Sequence, residues 1–261
     1  MNSVPERIRK SERRAQILME LRWKPHVRVT ELAEQFGVST ETIRRDLQEM
    51  NEARELDRAH GGASARIPES QPSLDERQTS RVEERERIAR FAVRQIADGA
   101  SLMIDAGAST IALARCLAVA DLNLKIVTNS LPVAMILGPA PKIYLRLCPG
   151  DLLAPEAAVI GPDTSAYIAR HNVDCCFLGA SAASDQGISE AIPGFADVKR
   201  AMMAQAARSV FLIDHSKLGR NELDRVAGPA PDRAIYTDRL PDPGFAKAWQ
   251  AGGGELQVIE A

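Results

Sequence analysis

Val29 to Gln48 reads VTELAEQFGVSTETIRRDLQ, and the spacing of its apolar residues predicts two short helices joined by a tight turn. Leu32, Ala33 and Phe36 fall on one face of the first helix, which Thr30 is placed to cap. Gly37 supplies the left-handed turn, and Ser39 caps a second helix built on Ile43, Leu47 and Met50. With successive positions set 100° apart and Ile43 at zero, Leu47 and Met50 lie within about 40° of it and mark the buried stripe. Arg45, Gln48 and Glu41 lie near the opposite pole, with Arg44 and Thr42 on the flanks. Such a helix-turn-helix places its second helix in the major groove of double-stranded DNA. Arg pairs bidentately with guanine and Gln with adenine, so Arg45 and Gln48 are expected to read bases, each for about 1 to 3 kcal/mol of discrimination. Arg44, Thr40 and Thr42 are expected to hold phosphates, with Thr30, Ser39 and Glu41 completing the surface.

The flanks extend this reading. Upstream, SERRAQILMELRW sets Ile17, Leu18 and Leu21 on one side of a first helix, completing a three-helix core. Downstream, Leu56 to His60 reads as a short strand and Gly61-Gly62 as a turn, one arm of a wing in which Arg58 and His60 would contact phosphates. Residues 1–66 form this domain, with the motif at 29–48. Pro68 and Pro72 mark a linker over 67–82. From 83 to 261 comes a larger domain, opened by a helix on which Ile88, Ala89, Ala92 and Ile96 recur at helical spacing before Gly99.

Composition agrees with two domains: 261 residues, 45% of them hydrophobic. No run of 18 apolar residues occurs and the amino terminus, MNSVPERIRKSERR, lacks an apolar signal segment, so a cytoplasmic protein without a membrane partner is expected. Cys116, Cys148, Cys175 and Cys176 show no metal-ligand spacing; reduced buried thiols, no metal and no cofactor are expected. Residues 1–66 carry 13 Lys and Arg against 11 Asp and Glu, a net +2, and the remainder is −4. So small an excess binds phosphates weakly in one copy, so a homodimer or homotetramer on paired half-sites is expected.

After residue 100, short apolar runs alternate with helical stretches: SLMIDAG then TIALARCLAV, LKIVTNS then LPVAMIL, VDCCFLGAS then ADVKRAMMAQAA, and RSVFLIDHS. That alternation predicts an α/β domain, a largely parallel sheet with helices on both faces. Ligands in such folds sit beyond the carboxyl ends of the strands. In the loop IDAGAST, Gly107, Ser109 and Thr110 precede a helix whose free amides favour an anion, and Asp105 is expected to accept bonds from ligand hydroxyls. Thr128, Asn129 and Ser130 in VTNS repeat the arrangement. Lys199 and Lys217 would complete the charge balance, with Asp214 orienting Lys217 or a hydroxyl. A phosphorylated polyol suits such a site.

ELAEQFGVSTETIRRDL followed by R-x-HGGA resembles the amino-terminal domain of the DeoR family of bacterial transcriptional regulators. The resemblance continues through D-x-G-x-S-T, VTNS, LGAS, VKRAM and D-H-S-K and covers nearly the whole chain. It implies a small winged helix-turn-helix domain plus a three-layer α/β/α sensor domain similar to the ribose phosphate isomerase and coenzyme A transferase-like fold. It also implies sensing of phosphorylated sugars or related metabolites, with Gly150, Gly179 and Ser181 at the effector site. The chain departs from the family pattern at Pro149-Gly150, Ala108 and Ala182, which puts the pocket's shape in question. The alternative is a sugar-phosphate isomerase-like enzyme fused to a DNA-binding domain. Isomerisation needs a positioned carboxylate; where ribose phosphate isomerases resemble Asp-Gly-Ala-Asp-Glu, this chain has Leu178-Gly179-Ala180-Ser181-Ala182, so binding without turnover is expected. A third reading keeps the second domain as a dimerisation platform without a ligand.

Overall fold

The chain divides into two compact units, residues 1–70 and 71–261. The computed structural model describes residues 10–21, 26–52, 56–59, 62–65 and 72–260. His60 lies outside the described residues, as do residues 67–71 of the expected linker.

The first unit comprises α1 (Lys10–Leu21), β1 (His26–Arg28), α2 (Val29–Phe36), α3 (Thr40–Glu52), β2 (Leu56–Ala59) and β3 (Gly62–Ala65). The apolar stripes meet in one core: Ile17 and Leu21 from α1, Leu32, Ala33 and Phe36 from α2, and Ile43, Leu47 and Met50 from α3, closed by Val27, Val29 and Leu56. Each large side chain so buried contributes about 1.5 to 3 kcal/mol, which is why three short helices hold together. α2 stops at Gly37, where φ is 61°, and the amides of Gly37 and Val38 return to the Glu34 and Ala33 carbonyls.

Thr30 is not a cap. β1 pairs with β3 up to Arg28, so the chain arrives extended and α2 begins at Val29, with Arg28 in the capping position and no side-chain cap. Thr30 therefore falls inside the first turn. The wing is a three-stranded antiparallel sheet, β1-β3-β2, rather than a lone hairpin. Gly62 is obligatory in it, because a Cβ there would lie 1.8 Å from the Val27 carbonyl oxygen.

The second unit opens with α4 (Leu74–Thr79) and α5 (Val82–Arg94), so part of the expected linker is helical. Ser73 and Glu76 form a capping box and Leu74 is buried in the second unit's core, which anchors α4 there. Next come β4 (Ser101–Ile104), α6 (Ala108–Leu117), β5 (Leu124–Thr128), α7 (Leu131–Leu137) and β6 (Ile143–Leu147). A hairpin of β7 (Asp151–Leu153) and β8 (Ala158–Ile160) precedes α8 (Pro162–Ile168) and β9 (Val173–Leu178). The chain continues through β10 (Ala182–Ser184), β11 (Gly187–Glu190), α9 (Phe195–Ala204), β12 (Ala206–Leu212), β13 (Asp224–Ala227), β14 (Arg233–Thr237), α10 (Pro243–Ala251) and β15 (Glu255–Val258).

Seven strands form one parallel sheet in the order β15-β14-β12-β9-β4-β5-β6. Alternate residues serve opposite faces, as the period of two in a strand requires. Leu102, Ile104, Phe177, Val210 and Leu212 join one core with α5, α6 and α7, while Met103, Cys176, Leu178, Phe211 and Ile213 join another with α8, α9 and α10. The strand order reverses between β4 and β9, so the loops leaving these neighbours diverge to opposite faces and open a crevice at their carboxyl ends.

Candidate DNA interface and effector cleft

In the first unit, the outer face of α3 has the predicted arrangement. Ile43, Leu47 and Met50 are fully buried, while Glu41, Arg44, Arg45 and Gln48 are exposed and Thr40 and Thr42 half-buried. The Ser39 hydroxyl accepts the Thr42 amide at 3.2 Å, capping α3 as expected. Arg45 leaves 82% of its side chain in solvent and meets Glu49 at 3.4 Å, a contact that water screens and a duplex can displace. Arg58 lies on β2, opposite Ala63 of β3.

What the sequence reading missed is how α3 is fixed. Asp46, 2% exposed, accepts Arg13 Nε at 2.6 Å and is approached by Arg14 at 3.4 Å. Glu49 takes Lys10 and Arg14, each at 2.6 Å. Hydrogen bonds from Lys10 and Arg14 hold the Glu49 carboxyl down at about 2. These bonds tie α3 to α1. The signal was present: Asp46 stands only about 60° from Ile43 on the helical wheel, at the edge of the apolar stripe.

In the second unit, a cleft opens at the reversal point. One wall is the start of α6, Gly107, Ala108 and Ser109, whose first amides have no partner within the helix. Gly107 adopts φ 144°, which a side chain would oppose. A second charged group of lining residues is Arg77, Arg85, Asp214 and Lys217, and the floor is Gly179, Ala180, Ser181, Glu190 and Lys199, with Ile192, Phe195 and Leu212. Four cations thus face the cleft against two carboxylates. The enclosed space is about 30 Å³, room for a water or two.

Lys199 joins Asp105 at 2.5 Å and Glu190 at 3.1 Å, with all three side chains almost wholly buried. Burial opposes the ammonium charge, but the two carboxylates outweigh it and raise the Lys199 pKa. Burial lifts the Asp105 carboxyl above its usual range in spite of Lys199. Glu190, equally opposed by burial, is held low by Lys199 and by the hydroxyl of Ser181, and it also accepts the amides of Ala191 and Ile192. The triad is a locked floor.

In the second charged group Arg77 and Arg85 are buried and paired, and Lys217 is half-buried. Arg85 meets Asp214 at 3.3 Å and donates to the carbonyls of Arg77 and Ser80; Arg77 pairs with Glu156 and donates to the Pro72 carbonyl at 2.9 Å. Lys217 has no carboxylate within ion-pair distance among the described residues. Burial lowers its pKa; Asp214 opposes that shift, while Arg77, Arg220 and Arg85 add to it. A half-buried cation among cations is a place where an anion gains most.

Of the expected effector residues, Gly107, Ser109, Gly179, Ser181, Lys199, Asp214 and Lys217 line this cleft. Asp105 does not: it is fully buried under the floor, bonded to Lys199 rather than offered to a hydroxyl. Thr110 turns its hydroxyl back to the Gly107 carbonyl at 2.9 Å. Thr128, Asn129 and Ser130 serve the backbone: Thr128 donates to Ile104, Asn129 to Val159, and Ser130 caps α7 by accepting from Val133. β5 is one strand away from the reversal, so its loop does not reach the crevice. Gly150 is required elsewhere, because a Cβ there would lie 2.0 Å from the Thr164 hydroxyl. Arg77, Arg85 and Glu190 were not anticipated. Only Arg85 had a signal, standing three residues before Ile88 on the buried stripe of α5.

A roomier groove of about 470 Å³ runs between α5 and α6, lined by Val82, Val93, Ala112 and Val119 with Arg90, Arg94 and Arg115. It shares Arg85 and Ala108 with the smaller cleft but runs along the helices, without the strand-end loops of Gly179, Ser181, Asp214 and Lys217 that line the smaller one. Glu84, His215 and Asp238 bring possible metal ligands within 4.8 Å of one another, but both Asp238 oxygens already accept from His215, one from its amide and one from Nδ1. All four cysteines are free, and burial pushes the thiols of Cys148, Cys175 and Cys176 up to about 12. No helix among the described residues is long and apolar enough to cross a membrane.

Comparison with known proteins agrees with this geometry. Residues 13–69 match the DeoR-like helix-turn-helix domain and residues 80–239 the DeoR C terminal sensor domain. The chain is 34% identical over 235 residues to the glycerol-3-phosphate regulon repressor of Escherichia coli, covering 90% of this chain and 93% of that one. It is 31% identical over 240 residues to the transcriptional repressor GlcR of Bacillus subtilis, covering 91% and 92%. A ribose 5-phosphate isomerase from Methanocaldococcus jannaschii aligns over 53% of this chain and 55% of its own, with a TM-score of 0.40 and 19% identity. With a helix-turn-helix unit followed by a sensor domain, and relatives that are repressors, the chain belongs to the DeoR family and is a DNA-binding transcriptional regulator rather than an enzyme.

Proposed function

We propose that this regulator represses a carbohydrate or polyol catabolism operon in the cytoplasm and is released from its operator by a phosphorylated polyol or sugar bound in the cleft between β4 and β9. The supporting observation is that Arg77, Arg85 and Lys217 line the same cleft as the start of α6, with Lys217 lacking an ion-pair partner among the described residues. Phosphate would sit between the α6 amides and these cations. Ser181, Glu190 and Asp214 then remain for hydroxyls. The likeness to a glycerol-3-phosphate regulon repressor makes glycerol 3-phosphate the first compound to test.

A cleft of about 30 Å³ must widen to admit such a molecule. That gives the effector a conformation to select: an effector preferring the widened state weakens operator binding by the factor by which operator weakens effector binding. Two copies on half-sites about 34 to 36 Å apart, or a multiple of that, match two recognition helices. In a shift assay at fixed salt on the protein's own upstream region, glycerol 3-phosphate or another sugar phosphate should release the complex, and glycerol or the free sugar should not. Lys217→Ala should keep operator affinity and need at least about tenfold more effector, a loss of about 1.4 kcal/mol. Release by unphosphorylated compounds, or an unchanged response in Lys217→Ala, would defeat this reading.

A further inference from the structure

β6 ends the seven-stranded sheet. It pairs with β5 on one side, and among the described residues no strand pairs with its other side. Open edges are normally guarded by charge, proline or a bulge. β6 reads IYLRL, with one charge, no proline and unbroken register against β5. Tyr144 and Leu147 are 59% and 42% exposed, and Met135, on the helix α7 that packs against β6, is 78% exposed. At the opposite end of the sheet, β15 is half-buried throughout and Glu255 is paired with Arg208.

The backbone settles which groups face outward. Leu124 donates its amide to the Lys142 carbonyl, and Cys148 donates its amide to the Thr128 carbonyl. Residues facing a parallel neighbour alternate, so Tyr144 and Arg146 also turn their backbone groups toward β5, while Leu145 and Leu147 turn theirs away. The Ile143 amide is already bonded to Ala140, which leaves its carbonyl open. An antiparallel copy of β6 placed about a two-fold axis through Leu145 satisfies these groups. Leu145 exchanges both bonds with the same residue of the second copy, and each Leu147 amide donates to the other copy's Ile143 carbonyl.

That register also sets Tyr144 opposite Arg146 of the second copy, in the non-hydrogen-bonded position where side chains come closest. The two types attract: within one chain the Arg146 guanidinium lies 5.4 Å from the Tyr144 ring centroid, and its Nε donates to the Tyr144 hydroxyl at 3.3 Å. An axis through Tyr144 would oppose Arg146 to Lys142, and one through Arg146 would oppose it to itself. An axis through Leu147 would bring Pro149 into the ladder opposite Leu145. We propose that the outer edge of β6 is a self-association surface, on which a second copy of this chain adds its own β6 antiparallel about Leu145 to make one continuous sheet.

Sedimentation of the full chain without DNA or effector, over a range of concentrations, tests this. Tyr144→Arg puts like charges opposite at both symmetric positions and should weaken association by on the order of tenfold. Adding Arg146→Glu should restore it. Both side chains are exposed, and circular dichroism checks that the fold is kept. Oxidising a mixture of Tyr144→Cys and Arg146→Cys proteins should give disulfide-linked dimers that neither gives alone, because only the opposed pair comes within disulfide reach. A chain that sediments as a monomer at micromolar concentration, Tyr144→Arg associating like its parent, or no added crosslink in the mixture would each overturn the proposal.

Discussion

Around Glu49 in the first unit, Lys10, Arg14 and Arg45 converge on one half-buried carboxylate at the surface. Around Lys199 in the second, two carboxylates converge on one cation, and none of the three side chains is more than 3% exposed. The same chemical types meet at similar distances with opposite consequences. Exposed pairs are screened and worth little, so Arg45 can trade its contact with Glu49 for a duplex. In the buried triad each partner is held by the desolvation that would follow its loss, so it fixes the cleft floor and cannot serve as a moving part. Lys217, half-buried beside the buried and paired Arg77 and Arg85, lies between these limits, which is where a response to a ligand belongs.

Lys199→Met should have the largest effect, stranding Asp105 and Glu190 in the core and costing the second unit about 3 to 5 kcal/mol. Denaturant unfolding measures it; a loss below about 1 kcal/mol would show that the floor is no more committed than the α3 surface. For the native triad, Glu190 lies below the ordinary value of 4.5 and Lys199 above the ordinary 10.5. Their contributions are therefore complete between those values. Glu190's is lost as pH falls through its lowered pKa, and Lys199's as pH rises through its raised one.

Arg45→Ala should leave stability almost unchanged yet cost about 1 to 3 kcal/mol of operator affinity and relax one base position. Footprinting on operator variants decides it, and a footprint like the parent's would remove Arg45 from the groove. The smallest effect is at Glu49, whose carboxyl is held at about 2. With Lys10→Ala its midpoint should rise toward 4.5, followed by carboxyl NMR. In the parent, its contribution is present above pH 4.5 and lost as pH falls through about 2. A midpoint that does not move would mean that Lys10 does not hold it.

Much of the first unit was legible because its information is local. Ile43, Leu47 and Met50 recur at helical spacing, and Gly37 and Ser39 mark a stop and a start; the fold needed only to bring those stripes together. Thr30 was misjudged because the strand pairing of β1, a contact with residues far along the chain, decided where α2 begins. In the second unit, IDAGAST and VTNS look equivalent as sequence, both strand ends followed by a helix. They differ only because β4 stands beside β9 at the reversal and β5 does not. Arg77 and Glu190 had no sequence signal: Arg77 owes its place to Glu156, far away in the chain, and Glu190 meets Ser181 and Lys199, nine residues to either side, only once β10, β11 and α9 have packed.

The amino-acid sequence by itself determined the elements, their amphipathic faces and the family, because periods of 3.6 and 2 and the chemistry of caps act over a few residues. The tertiary structure alone decided which strand ends share a crevice, which charges are locked and which remain open to a ligand. Strand order and burial are set by contacts between distant residues, and it is burial that turns a Lys–Asp pair from a screened surface contact into a fixed floor.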